Sequence, residues 1–201
     1  MSVYIHGGLR SPIGVLNGQY KHMRPEILGS QVIDEIINRY TISHIDGIFC
    51  GNAVGTGGNL GRLMGLMCNL PNSVPAITVD MQCASALMSI EIAYAHIVSG
   101  IMDSAIAGGI ESSSLQPERV YASGDDREGP YKVAQFTPQD QSPLAMLKGA
   151  ERTIHKYNVT KEDLYPHIIG SHQRASAALD NPYLQSYIMP CLLYTSDAAD
   201  E

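Results

Sequence analysis

The chain has 201 residues, enough to bury one sizeable core, or a core plus an appendage. With 44% apolar and 16% charged residues, its composition is that of a folded protein rather than a disordered one. Its formal charge of −7 leaves no basic stripe to neutralise phosphates, which argues against nucleic acid as a partner.

No uninterrupted apolar run is long enough to cross a bilayer, so no membrane association is expected. The start, Met1-Ser2-Val3-Tyr4-Ile5-His6, lacks the charged opening and apolar middle of a signal peptide, and a cytoplasmic location is the default. The cysteines at 50, 68, 83 and 191 are widely spaced, unlike the close pairs of a zinc site; neither a metal site nor a disulfide framework is expected. The seven histidines are scattered, and none lies four residues from another on a helix.

In chain order, Val3-Tyr4-Ile5 predicts a short strand followed by the turn residues Gly7-Gly8. Pro25 suits the first position of a helix, and Ile27, Leu28, Gln31, Val32, Ile36 and Ile37 follow near a helical period. Asp46-Gly47 breaks before a strand at Ile48-Phe49-Cys50. The glycine-rich run Gly51 to Arg62 then leads into a helix through about Cys68. That run departs from the dinucleotide fingerprint, with Leu60 where the third glycine would fall, and lacks the Gly-Lys-Ser/Thr ending of a P-loop. It reads as a tight connection where backbones approach closely.

A β-prone run at Ala76 to Val79 ends in polar residues, and Cys83 then opens a helix to about Ser99, closed by Gly100. The first amides of a helix lack internal partners and carry the positive end of its dipole, so a thiol there ionises more easily, and the thiolate is the attacking form. The competing reading is a small buried cysteine packing strand against helix, a common place for a free thiol. Ala105-Ile106-Ala107 predicts a fourth strand before Gly108-Gly109. Four strand–helix alternations favour an α/β layer with a mainly parallel sheet, in which reactive groups collect where strands end and helices begin.

From Leu115 the periodicity fades, and Gln116 to Ser142, rich in proline, glycine and charge, reads as an irregular surface excursion. Leu144 to Tyr157 predicts a helix. Thr160 is a good N-cap with Asp163 three residues on, opening another helix to about Leu179 with apolar positions at Leu164, Ile168, Ala175 and Ala178.

Four stretches, in order and at matching spacing, resemble the N-terminal part of the thiolases, the acyl-CoA acetyltransferase family. Gly55-Thr56-Gly57-Gly58-Asn59-Leu60-Gly61-Arg62 is similar to the family's Gly-Ala-Gly-Gln-Asn-Pro-Ala-Arg. Gln82-Cys83-Ala84-Ser85-Ala86 stands where thiolases have Cys-Gly-Ser-Gly around the acylated cysteine. Ala107-Gly108-Gly109-Ile110-Glu111-Ser112 resembles Ala-Gly-Gly-x-Glu-Ser/Asn, and Met146 to Ala175 follows the Met-Gly-x-Thr-Ala-Glu and Gly-x-Thr-Arg-Glu region. The resemblance covers Val3 to about Pro190. It implies a thiolase-like layered α/β fold: a first half with a mainly parallel sheet (residues 1–115), then part of a loop insertion (116–190).

The resemblance further implies an acyltransferase performing Claisen condensation or thiolysis of short acyl-CoA or 3-ketoacyl-CoA in lipid metabolism. Cys83 would be the acyl-thioester nucleophile, with the amide after it nearby, and Met146 would line the coenzyme A pocket. Coenzyme A thioesters would be substrates, with no separate cofactor and no metal. The complete protein would be a homo-oligomer. Ala84 and Ala86 replace the glycines flanking the motif's serine, Ala145 stands where members often carry histidine, and Leu147 replaces the next glycine.

Thiolases resemble two related α/β halves, and this chain stops inside the insertion of the first. The catalytic histidine, the second cysteine, the water-positioning asparagine and the last strand of the first half are expected beyond it. Residues 191–201, from Cys191 to Glu201, resemble a translated transposase sequencing adapter rather than a gene product. Two other readings remain: a non-catalytic fragment with uncovered apolar faces, or a related condensing enzyme of the ketoacyl or hydroxymethylglutaryl-CoA synthase type.

Overall fold

A computed structural model of the chain describes residues 2–55, 57–133, 135, 137, 138, 142 and 144–190. These fall into two compact units: one runs to Pro117 and resumes at Ser186, and the other spans Glu118–Gln185. The tail from Cys191, expected to be foreign, lies outside the described residues.

The first unit is built on a parallel sheet of β1 (Gly47–Gly51), β2 (Ala76–Val79) and β3 (Ala105–Gly109), in the order β2-β1-β3. β1 is central and buried along its length, which is why its sequence is apolar throughout rather than alternating. Its side chains still alternate in direction. Ile48 and Cys50 join a core with Ile33 of α1 (Pro25–Arg39) and Met64 of α2 (Leu60–Met67). Phe49, on the opposite face, packs its ring 5.1 Å from that of His96 on α3 (Ser85–Val98). Helices thus cover both faces of the sheet, the layered α/β arrangement expected from the alternating pattern.

The glycine-rich run after β1 is a helix anchor. Asn59 caps α2, its Oδ1 accepting the Arg62 amide at 3.0 Å and the Thr78 hydroxyl at 2.8 Å, while its Nδ2 donates to the Ala76 carbonyl at 2.8 Å. The Arg62 guanidinium donates to the carbonyls of Val74 at 2.6 Å and Asn72 at 2.7 Å. A β-carbon on Gly61 would come within 2.9 Å of the Cys50 Cβ and 3.0 Å of the Ile77 carbonyl oxygen. Close approach of α2 to the sheet therefore accounts for this glycine, as the sequence suggested.

The strand expected at Val3-Tyr4-Ile5 does not form; three of the four anticipated strands do. A strand's backbone groups need a neighbouring strand, and residues 2–9 have none among the described residues. Arg10 alone pairs, its amide donating to the Tyr187 carbonyl at 2.9 Å and its carbonyl accepting from Met189 at 2.8 Å. The outer edge of β3 is likewise without a partner strand among the described residues. A cleft of about 420 Å³ is lined by residues of β1, β3 and α1 and by the stretch Leu9 to Leu16.

In the second unit, β4 (Arg119–Val120) and β5 (Pro130–Tyr131) form a two-stranded antiparallel ladder within the stretch expected to be irregular. Tyr121 stacks on Tyr131 at 4.2 Å, and Arg127, paired to Asp125, lies over the Tyr121 ring. α4 (Ala145–Tyr157) ends at Asn158 in the left-handed conformation, φ 52°. α5 (Lys161–Leu179) opens with the anticipated capping box: Thr160 Oγ1 accepts the Asp163 amide, and Asp163 Oδ2 accepts the Thr160 amide at 2.8 Å. α6 (Pro182–Gln185) is one turn. None of these three helices has a buried residue among those described, and the apolar positions Leu164, Ile168 and Ala175 of α5 are exposed.

Replacing Asn59 with alanine removes one cap and two bonds to β2, and urea denaturation should register a loss of about 1–3 kcal/mol. A pH-dependent contribution comes from Asp46. Its carboxylate accepts the amides of Asp103 at 2.8 Å and Ser104 at 3.0 Å, and these bonds, with one to His44 at 2.6 Å, hold it below the ordinary carboxylate range. A depressed carboxylate stabilises the fold above its unfolded-state pKa, and that contribution is lost as pH falls through the folded-state value. Asp46→Asn should therefore unfold earlier than the parent at neutral pH, with the difference closing on acidification below about pH 4.

Candidate active site

The approach of α3 to the sheet sets the geometry of the site. Its buried face is made of small residues, Ser85, Ser89 and Ala93, one helical turn apart. Ser89 is fully buried, and its hydroxyl contacts the carbonyl oxygens of Ala86 at 2.7 Å and of Gly108 in β3 at 2.8 Å. At the strand ends, a β-carbon on Gly51 would lie 2.5 Å from the Ala86 nitrogen and the Ser85 carbonyl carbon. One on Gly109 would lie 3.0 Å from the Ala86 Cβ. The beginning of α3 thus rests directly on the carboxyl ends of β1 and β3, where an α/β sheet presents its reactive groups.

Cys83 stands just ahead of this seat. It is exposed, which removes the reading of it as a buried packing residue. That role falls to Cys50 and Cys68, both buried. Burial pushes the Cys50 thiol up to about 11, and burial, with the charge of Asp34, raises that of Cys68. Cys83 is not the first residue of the helix, as the sequence suggested: α3 begins at Ser85 with Ala84 as its cap.

The difference follows from a tight turn before the helix. Asp80 Oδ1 accepts the Gln82 amide at 2.9 Å, and Gln82 takes the left-handed conformation, φ 51°. The amides of Ala84 and Ser85 turn back to the carbonyls of Met81 and Gln82, both at 3.1 Å. The amide after the cysteine is therefore engaged in this structure rather than free to receive an oxyanion. The amides of Ala86 and Leu87 have no acceptor among the described residues, and they form the open first turn of α3.

Glu111, noted in the sequence only as part of a motif, ties the loop after β1 to the end of β3. Its carboxylate accepts the amides of Ala53 at 3.0 Å and Val54 at 2.8 Å and the Asn52 side-chain amide at 2.9 Å. Asn52 Nδ2 also donates to the Ile110 carbonyl at 2.8 Å. No sequence signal marks Asn52 as its partner, because the two meet only when β1 and β3 pair.

Met146 lies in the second unit, in the first turn of α4, and is 67% exposed. Among the described residues no group of three His, Cys, Asp or Glu side chains converges as a metal ligand set. No helix of the described residues is long and apolar enough to cross a membrane.

These features agree with the comparisons to known proteins. The family model described as thiolase, N-terminal domain, matches residues 3–201. A Staphylococcus aureus protein described as a candidate acetyl-CoA C-acetyltransferase, VraB, is 33% identical over 187 residues, or 90% of this chain and 49% of its own length. The Staphylococcus epidermidis VraB is 32% identical over 191 residues with the same coverage. The crystal structure of the Bacillus anthracis acetyl-CoA acetyltransferase superposes with a TM-score of 0.79 at 25% identity, over 92% of this chain and 50% of that one. The chain belongs to the thiolase family and has the thiolase α/β fold of the N-terminal domain. It spans about half the length of the relatives it matches.

Exposure separates the thiols chemically. Iodoacetamide at pH 8 should label Cys83 rapidly, while Cys50 and Cys68 label only when the protein is unfolded; peptide mass spectrometry reads each site. Rapid labelling of Cys50 in the folded chain would contradict the packing described here.

Proposed function

We propose that this chain is the nucleophile-bearing half of a thiolase-type acyltransferase, with Cys83 as the group that carries the acyl chain. The single observation that carries the reading is an exposed cysteine held on a tight turn at the start of α3, over the ends of β1 and β3, in a chain of the thiolase family. In the first step the Cys83 thiolate attacks the carbonyl carbon of an acyl-CoA. The tetrahedral intermediate collapses, the carbon–sulfur bond to coenzyme A breaks, and coenzyme A leaves as its thiol once protonated. In the synthetic direction, the enolate of a second acyl-CoA takes the acyl group and frees the cysteine. In thiolysis the Cys83 thiolate attacks the ketone carbon of a 3-ketoacyl-CoA, and the bond from that carbon to the α-carbon breaks. The α-carbon takes a proton to give acetyl-CoA, and the thiol of a free coenzyme A then takes the acyl group from Cys83.

The base that removes the thiol proton and the group that handles the α-proton are assigned by family resemblance to a second half of the protein. The names of the relatives support acetyl-CoA as a substrate; other short acyl-CoA thioesters are assigned by the family resemblance. Met146 is assigned to the coenzyme A side by the same resemblance. A cytoplasmic homo-oligomer is the expected form of the complete protein.

The apolar residues of α3 support a larger assembly. Leu87, Ile90, Tyr94 and Val98 form an exposed stripe opposite its buried face. An exposed apolar stripe of this length on a helix is a face that a partner surface would cover. The same stripe favours the second reading, that the 201-residue chain alone is a non-catalytic, self-associating fragment.

A coupled thiolysis assay with acetoacetyl-CoA separates the readings. The protein made from the continuous reading frame should turn over, and Cys83→Ala should lower its kcat by at least about 10³-fold. The 201-residue chain by itself should be inactive. Full activity in the Cys83→Ala protein would overturn the assignment, and Cys83-dependent turnover by the short chain would overturn the inert reading.

A further inference from the structure

We infer that Ser85 is a positioning residue for Cys83, holding the peptide that leads into the nucleophile; the inference rests on the reading of Cys83 as the acyl acceptor. Ser85 is 4% exposed, and its hydroxyl reaches back across the turn. It accepts the Met81 amide at 2.8 Å and donates to the Gln82 carbonyl at 2.6 Å, which also receives the Ser85 amide at 3.1 Å. The Gln82 carbonyl belongs to the same planar peptide unit as the Cys83 nitrogen. In a trans peptide, anchoring the oxygen on Ser85 directs the Cys83 N–H the opposite way.

Gln82 is in the left-handed region, φ 51°, where a β-carbon crowds the backbone. Such a residue keeps that conformation only where its surroundings over-determine it. Here the constraints are Asp80 on its amide and Ser85 on its carbonyl. Ser85 is itself fixed, because its carbonyl carbon sits 2.5 Å from where a Gly51 β-carbon would lie. The exposed Cys83 side chain, by contrast, does not fill the core. The rigidity of the sheet therefore reaches the nucleophile through the Ser85 hydroxyl.

The test follows acetylation of Cys83 by acetyl-CoA in the full-length protein, by intact mass on the millisecond-to-second scale. Ser85→Ala should remain folded by circular dichroism yet load Cys83 on the order of 10–100-fold more slowly, as expected for a nucleophile displaced by a fraction of an ångström to an ångström. Glycine adopts positive φ without steric cost, so adding Gln82→Gly to Ser85→Ala should recover most of the lost rate. A purely packing role for the hydroxyl would not be repaired from position 82. Loading of Ser85→Ala at the parent rate, or failure of Gln82→Gly to restore it, would overturn the inference. Undiminished acetyl loading in Cys83→Ala would instead overturn the acyl-acceptor reading, an outcome that does not depend on Ser85.

Discussion

The seating of α3 on the strand ends is the contact on which the rest of the first unit turns. Gly51 and Gly109 leave no side chain between the sheet and the helix, and Ser85, Ser89 and Ala93 present a thin face to it. Any larger residue at those strand ends would hold the helix off by the thickness of a methyl group. The turn before it would then lose its reference point. Because interiors are packed as densely as organic crystals, such a displacement is not absorbed locally. The position of an exposed cysteine thus depends on two glycines that have no chemistry of their own.

The loops around this seat are fixed by side-chain oxygens rather than by apolar packing. Asn59 and Arg62 bind α2 to the segment around β2, Glu111 gathers the amides after β1, and Asp46 gathers those before β3. Each satisfies backbone groups that a three-stranded sheet leaves without ladder partners. The family motifs around Asn59, Cys83 and Glu111 therefore differ in kind. The first and third are architectural, and the second presents the thiol.

The uncovered surfaces have a common physical origin. Among the described residues, β3 has one edge without a partner strand, α3 has one apolar face in solvent, and the helices of the second unit contain no buried residue. Apolar helix faces and strand edges gain stability only against a partner. Their exposure here accords with a chain that spans about half the length of its relatives.

Much of this organisation was legible in the residues alone. The helical period of Ile27 to Ile37, the capping pair Thr160 and Asp163, the strand at Ile48 to Cys50 and the motif around Cys83 are local properties, and local propensity and pattern determine them. The tertiary structure decided what depends on residues distant in the chain. Val3 to Ile5 has the composition of a strand but no neighbour among the described residues with which to pair. Which thiols are buried and which is exposed followed from the way the helices cover β1. The left-handed Gln82, the Ser85 bonds around it and the union of Asn52 with Glu111 arise only once β1, β3 and α3 are in contact, because burial, steric closeness and hydrogen-bond partnership are properties of the assembled chain.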